Sequence, residues 1–279
     1  MNTISQIIIY PIKSCKGISL DSAEVTLTGL RHDRKFVLVD SDYKFLSQRR
    51  FPKMCLINTS IHGDILTAWG PGVIPHLILP LNQPPQNDPI PVNIWGKIGY
   101  GSFIGGFADA WFSKYLGVKC RLLRIDFRKP RYRNLKGPND VLIPLSFADG
   151  FPILLIPEPS LADLNARMTD PVTMDRFRPS IVSRGNDRPF EEDNFKTLTI
   201  GTAQFRGEKL CERCSIIQVD PETGIPDQFG PLTALSEYRK IPAEAGAEVG
   251  PVMFGKNLSV EKPGRIFIGD EVIVRSYQS

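Results

Sequence analysis

The sequence predicts a mostly β protein with a few helices, an α+β chain built on antiparallel sheets. Three observations carry that expectation. Short apolar runs bounded by Gly, Pro, Asn and Asp recur from Ile7 to Trp95, as strands separated by turns do. Only one long segment, around Phe107 to Leu116, carries helical spacing. The stretch Glu261 to Val274 reads as turn, strand, tight turn, strand, the closing hairpin of an antiparallel barrel. With 279 residues the chain is long enough for one large domain or two intimate ones.

Taken in order, Ile7-Ile8-Ile9-Tyr10 opens as a strand stopped by Pro11. Ala23, Val25 and Leu27 alternate with polar residues, the pattern of a half-buried strand. Lys35 to Val39, an Asp40-Ser41-Asp42 turn and Lys44 to Ser47 read as a hairpin. Met54 to Ile57, Ile65 to Trp69 and Pro91 to Trp95 continue the strands, with a Pro/Asn-rich loop from Leu81 to Asp88. Phe107, Ala110, Trp111 and Leu116 mark a helix that Gly117 stops. Lys119 to Ile125 is strand-like again. Residues 126 to 140 read as a basic linker or surface loop, with Arg128, Lys129, Arg131, Arg133 and Lys136 around Pro130, Tyr132 and Pro138.

The second half begins with the apolar strand Pro152 to Ile156. Ser160 is the expected N-cap of a helix over 161–167. In Asp175-Arg176-Phe177-Arg178-Pro179-Ser180-Ile181-Val182, an extended chain would put both guanidinium groups on one side, a setting suited to phosphate. Lys196 to Ile200 and Ser215 to Val219 are expected strands, and Thr233 to Tyr238 a short helix.

Composition excludes several classes. Hydrophobic content is 42% and charged content 23%, as in a globular protein. No apolar run approaches the roughly 20 residues of a membrane helix, so no membrane partner is expected. The first residues lack a signal-peptide pattern. Five cysteines, odd in number and sparse, fit a reducing compartment, and a cytoplasmic location is expected. A net charge of +4 does not argue for nucleic acid. The basic run interleaved with Phe127 and Tyr132 could hold a single strand, but a solvated loop is the favoured reading.

Leu210-Cys211-Glu212-Arg213-Cys214-Ser215 concentrates the chemistry. Its thiols could be half of a zinc site, a redox pair, one thiolate on a soft-ligand metal centre beside Arg213, or two reduced, half-buried cysteines. Cys15, Cys55 and Cys120 form no second pair and His32, His62 and His76 are scattered, which weakens zinc. A turn rather than a helix follows, which weakens the redox pair.

Four stretches together carry a resemblance: Tyr10-Pro11-Ile12-Lys13-Ser14-Cys15-Lys16-Gly17, Gly29-Leu30-Arg31-His32-Asp33-Arg34, Phe177-Arg178-Pro179-Ser180-Ile181-Val182, and Arg213-Cys214 before Asp220-Pro221-Glu222-Thr223-Gly224. In this order they resemble the MOSC proteins that carry an N-terminal β-barrel domain, and among these the mitochondrial amidoxime-reducing component and its bacterial counterparts. The resemblance runs from about Ile4 to Val274. It implies an antiparallel β-barrel MOSC domain interlocked with an N-terminal β-barrel domain, divided as 1–126, a basic linker 127–145, and 146–279.

It also implies a molybdenum cofactor, Mo-molybdopterin, with Cys214 as metal ligand and catalytic residue. Lys13, Ser14, Arg34 and Arg178 match positions that hold the pterin phosphate. Glu212, Arg213 and the Asp149-Gly150-Phe151 segment would lie against the cofactor. The amidoxime-reducing members carry threonine and serine where Gly150 and Phe151 stand, asparagine at Ser180, and tyrosine at Asn257. These four positions are carried over as cofactor-binding candidates. Cys211 is assigned to packing or to support of the site. The implied activity is reduction of N-hydroxylated compounds (amidoximes, hydroxylamines, N-hydroxylated bases) to amines. No flavin, haem or iron–sulfur motif is visible, so a separate electron donor is implied, a ferredoxin-, flavodoxin- or cytochrome b5-like protein with its reductase. The alternative is a non-catalytic molybdopterin or sulfur-carrier binding protein.

Overall fold

Ile4, Ile7 and Ile9 cannot be covered by the short strand Ile18–Leu20 alone, and the chain buries them against its own far half. In the computed structural model, which describes residues 1–85, 87–135, 140–185, 188–242 and 250–278, the strand Thr3–Ile9 pairs with Ile181–Arg184 as well as with Ile18–Leu20. It thereby joins an eight-stranded sheet whose order is Ile18–Leu20, Thr3–Ile9, Ile181–Arg184, Ile153–Pro157, Val252–Lys262, Ala203–Arg213, Phe195–Ile200, Val272–Tyr277. One pair in it, Ile153–Pro157 with Ile181–Arg184, is parallel, and the helix Glu158–Asn165 lies in the connection between them. Ser22–Thr26 pairs with Gly29–Leu30 and with Gly264–Phe267. The strands of the first thirty residues thus belong to sheets of the second half, while Ile12 and Cys15 between them pack into the core of the first.

The rest of the first half builds a four-stranded sheet in the order Phe36–Val39, Arg121–Ile125, Lys97–Phe103, Ile90–Ile94, and a three-stranded sheet of Asn58–His62, Ile65–Trp69 and Leu77–Pro80. The helix Gly106–Leu116 covers their shared core with Ala108, Trp111, Phe112, Tyr115 and Leu116, and ends on Gly117 at φ 71°. These buried positions follow the i, i+3, i+4, i+7, i+8 rule. The expected stripe was rotated: Phe107 is 60% exposed and Ala110 is also exposed, while Phe112 and Tyr115 carry the packing. No described helix is long and apolar enough to cross a membrane.

Several local expectations are corrected. Met54 to Ile57 is not a strand: Pro52 opens a 3₁₀ turn, Pro52–Leu56, that buries Met54 and Cys55. The basic linker is not a loop, since Arg131–Leu135 and Val141–Leu145 form an antiparallel hairpin; Lys136 and Pro138 lie outside the described residues. Arg131 turns inward to the carbonyls of Ser146 (3.2 Å) and Asp149 (3.2 Å), and Arg128 pairs with Asp126 at 2.6 Å. Ser160 is no N-cap, because the helix already begins at Glu158 behind Pro157. Instead its buried hydroxyl accepts from Phe190 N and donates to Glu192, both at 2.9 Å. The expected closing hairpin keeps its turn, but its arms diverge to different sheets, Gly264–Phe267 to Ser22–Thr26 and Val272–Tyr277 to Phe195–Ile200. The second arm of the Asp40 hairpin reduces to single bridges at Lys44 and Phe45, and Leu27 is exposed beyond the strand end.

Candidate active site

Where the two halves meet, a cavity of about 310 Å³ opens between the Lys13 loop, the Asp149 segment, the Arg178 turn and the end of strand Ala203–Arg213. Lys13, Ser14, Arg34, Gly150, Phe151, Arg178, Ser180, Glu212, Arg213, Cys214 and Asn257, the positions singled out in the sequence, all line it.

The strand that brings the thiols is irregular. A regular strand alternates faces, so Cys211 and Cys214 would point to opposite sides. Its pairing with Val252–Lys262 shifts register between Gly207 and Leu210 and again between Leu210 and Glu212. Such bulges re-aim side chains at the edges of sites, and here all four residues from Cys211 to Cys214 reach the cavity. The strand stops at Arg213. Ser215 to Val219 is not the expected strand but a 3₁₀ turn, Ser215–Gln218, held down by the fully buried Ile217. Cys214 stands half-exposed at the head of that turn. Arg213 is buried, donating to Phe177 O at 2.7 Å and to Cys211 Sγ at 3.1 Å. Its Nε is buried without a partner among the described residues. Cys211 therefore faces the same cavity and braces Arg213.

The Arg178 side is equally specific. Arg176 and Arg178 do not share a side as expected, because Met174–Phe177 is a 3₁₀ turn and Arg178 takes a left-handed backbone at φ 55°. Arg176 turns to Asp220 (2.8 Å) and Asp227. Arg178 turns to the cavity, where its guanidinium and that of Arg34 lie 4.2 and 4.4 Å from the ring centroid of Tyr10. Arg34 is paired with the buried Asp33, which also accepts from Tyr10 N at 2.7 Å, and it reaches Ser180 Oγ at 3.4 Å. Burial pushes the Tyr10 phenol up to about 12 against the pull of Arg178 and Arg34, and its hydroxyl has no partner among the described residues.

Backbone strain concentrates here. Ser14, Arg34, Trp95 and Arg178, four of the non-glycine residues at positive φ, line this cavity. Such conformations cost free energy and persist where surroundings enforce them.

Lys13, also in the lining, is buried and donates to Phe147 O (2.9 Å) and Asp149 Oδ1 (2.6 Å), which Trp95 Nε1 also reaches at 2.7 Å. Burial lowers the pKa of Lys13 against the pull of Asp149. For Asp149, desolvation raises the pKa, but the Lys13 charge and the hydrogen bonds from Lys13 and Trp95 outweigh it and hold the carboxyl at about 2. Asn257 donates to Leu210 O at 3.2 Å. Sequence reasoning did not single out Trp95, Arg49 or Lys209, which also line the cavity, and it left Arg133 in a loop. The lining carries seven cationic side chains, namely Lys13, Arg34, Arg49, Arg133, Arg178, Lys209 and Arg213, against the carboxylates of Asp149 and Glu212. Such a cleft attracts anions.

Two family models match the chain. The family described as the MOSC N-terminal beta barrel domain matches residues 1–119, and the MOSC domain family matches residues 143–273. Mitochondrial amidoxime reducing component 2 of Bos taurus is 35% identical over 98% of this chain and 83% of its own length. The Homo sapiens protein of the same name is 34% identical over the same shares. Molybdenum cofactor sulfurase of Solanum lycopersicum is 30% identical over 97% of this chain, which spans 35% of that protein. The relatives point to a function tied to the molybdenum cofactor, and the chain belongs to the MOSC family in the form that carries the N-terminal β-barrel domain.

Proposed function

We propose that this chain is a molybdenum-cofactor-dependent oxidoreductase that reduces N-hydroxylated compounds to amines, with electrons from a separate donor protein. The observation that carries the reading is a half-exposed cysteine, Cys214, on the wall of a cation-rich cleft that also holds Arg178. The Arg178 guanidinium has no hydrogen-bond acceptor among the described residues. The donor set fits the cofactor. A molybdenum centre takes soft thiolate, and Cys214 supplies one. A phosphate monoester takes planar guanidinium and hydroxyl donors, and Arg178, Arg34 and Ser14 supply them in the cavity lining. The Arg213 Nε, without a partner among the described residues, is a further donor awaiting an acceptor. When bound, the cofactor supplies two-electron redox chemistry at the metal.

The remaining work belongs to the chain. Asp33 and the Tyr10 ring hold Arg34 in place. Cys211 and Phe177 O fix Arg213 beside Cys214. Lys13 and Trp95 pin Asp149, so the segment bearing Gly150 and Phe151 is held against the cleft. The overall change consumes two electrons and two protons per N–O bond and releases water. The relatives' names, amidoxime reducing component, support the choice of substrate. A reducing, cytoplasmic setting accords with free thiols among the cysteines.

The test uses protein expressed in a host that makes the cofactor. Molybdenum, zinc and released pterin are measured, then turnover of benzamidoxime with reduced viologen. Cys214→Ala should abolish turnover while Cys211→Ala keeps the metal and most activity. Equal losses in the two variants, or zinc in place of molybdenum, would refute the single-thiolate centre. Full molybdenum loading without turnover of any N-oxygenated compound would favour the carrier role.

A further inference from the structure

Four cations lining the cleft, Arg49, Arg133, Arg178 and Lys209, have neither an ion-pair partner nor a side-chain hydrogen-bond acceptor among the described residues. Three of them lie on aromatic rings: Arg49 on Trp95 at 4.1 Å, Arg133 on Phe151 at 4.4 Å and Arg178 on Tyr10 at 4.2 Å. Stacking occupies the flat face of a guanidinium and leaves its N–H edge free for a planar two-oxygen acceptor. Arg178 sits beside Arg34 over the same ring and is accounted for by the cofactor phosphate. Arg133 is not. It comes from the hairpin strand Arg131–Leu135, and its Nε is buried without a partner among the described residues.

The surroundings make room for Arg133. A Cβ on Gly150 would stand 2.9 Å from its Nη1, so glycine there lets the guanidinium settle over Phe151. Burial lowers the Arg133 pKa and the charge of Glu208 opposes that, which places Arg133 near the Glu208-Lys209 segment. The Glu208 carboxylate already accepts from Ser259 Oγ at 2.6 Å. Next to it, Lys209 lines the cleft with no partner of its own among the described residues. A phosphate-bearing cofactor, worth about two negative charges, would leave the seven cations still in excess over Asp149 and Glu212. Unneutralised positive charge in a cleft raises the local concentration of anions.

We propose that Arg133 and Lys209 form a second anion subsite, one that holds a carboxylate or phosphate group on the molecule reduced in this cleft. The identity of that molecule as a substrate rests on the reductase reading; the binding of its anion does not. The cleft then selects N-hydroxylated compounds that carry an acidic oxygen group over neutral ones.

The probes are benzamidoxime, 4-carboxybenzamidoxime and 4-phosphonobenzamidoxime, with cofactor-loaded protein. Calorimetry without reductant reads binding, and viologen-driven turnover reads kcat/KM. An anionic probe should bind on the order of tenfold more tightly than the neutral one, the worth of one charge-assisted hydrogen bond. The carboxylate and phosphonate arms show which group is preferred. The advantage should shrink as salt rises and collapse in Arg133→Gln and in Lys209→Gln. Arg133→Lys should recover only part of it. Pterin content should be unchanged in the Lys209 and Arg133 variants. Equal affinity for the three probes in the wild type, a preference untouched by both substitutions, or loss of pterin from Arg133→Gln would overturn the subsite. Arg133-dependent binding of an anionic probe with no turnover of any probe would instead refute the reductase reading and leave the subsite standing.

Discussion

Glu192 has no solvent exposure, and among the described residues only one of its carboxyl oxygens has a partner, Ser160 Oγ at 2.9 Å. Burial pushes its carboxyl from an ordinary 4.5 up to about 8, with the Ser160 hydrogen bond opposing and the neighbouring Asp193 adding to the rise. An acid whose folded pKa lies above its unfolded value stabilises the fold fully below the unfolded value and loses that contribution as pH rises through the folded one. The window here runs from about 4.5 to about 8. Glu192→Gln keeps the size and the acceptor for Ser160 but cannot ionise. Its stability relative to wild type should therefore grow by about 2–4 kcal/mol between pH 5 and pH 9, read by urea denaturation at both ends. A difference independent of pH would show that Glu192 is not held neutral. Buried carboxyls of this kind are invisible in sequence, since nothing in Glu191-Glu192-Asp193 says which acid turns inward. The cavity positions were more legible. Lys13-Ser14, Arg178-Pro179-Ser180 and Arg213-Cys214 are local motifs, readable as strings. Trp95, Arg49 and Lys209 belong to no string and become neighbours only when strands far apart in sequence are laid beside one another.

At the scale of elements, strand Ala203–Arg213 depends on a glycine. A Cβ at Gly207 would fall 1.9 Å from Phe195 O, a contact with backbone that cannot rotate away. The same residue begins the register shift, from Gly207 to Leu210, that precedes Cys211 to Cys214. Gly207→Ala should cost about 3 kcal/mol, at the upper end for overpacking, and, on the function proposed above, should also lower molybdenum content, because Cys214 directly follows the displaced strand. Denaturant titration and metal analysis on the same preparation check both. Wild-type stability in the variant would show that Phe195 yields. Strand propensity was legible where apolar residues ran straight into a sheet, as in Ile153–Pro157 and Ile65–Trp69. It misled at Met54 to Ile57 and at Ser215 to Val219, where an equally apolar run is spent on a 3₁₀ turn. Such a short run buries its apolar side chains in either conformation, so tertiary packing decides. The hairpin Arg131–Leu135 with Val141–Leu145 was hidden by its charges, which point inward to carbonyls and to the Phe151 ring.

At the scale of the whole molecule, the order of the chain and the order of the sheets disagree, and that disagreement places the cleft. Thr3–Ile9 fills the eight-stranded sheet between Ile18–Leu20 and Ile181–Arg184, and Ser22–Thr26 pairs with Gly264–Phe267. Between those strands and the four-stranded sheet lie the Lys13-Ser14 loop and Arg34, carried on the crossing segments. Their side chains close the interface through Lys13 to Phe147 O, Arg34 to Ser180 Oγ, and Lys16 to Glu222 at 2.7 Å. The second half on its own would expose the apolar faces that Ile4, Ile7, Ile9, Ala23 and Val25 now cover. It would also leave an unpaired edge at Ile181–Arg184 on the side of Thr3–Ile9. At about 1.5–3 kcal/mol for each large apolar side chain, losing these five costs an amount comparable to the whole margin of about 5–15 kcal/mol by which domains are stable. Residues 127–279 expressed alone should therefore be unfolded or aggregated. The same segment with residues 1–30 fused through a flexible linker should regain a cooperative melt, and the intact chain should unfold in one transition. Circular dichroism melts of the three proteins make the comparison. A cooperative transition in the 127–279 fragment alone would mean that the second half is complete without the first thirty residues, and that the cleft is formed by docking of two finished domains.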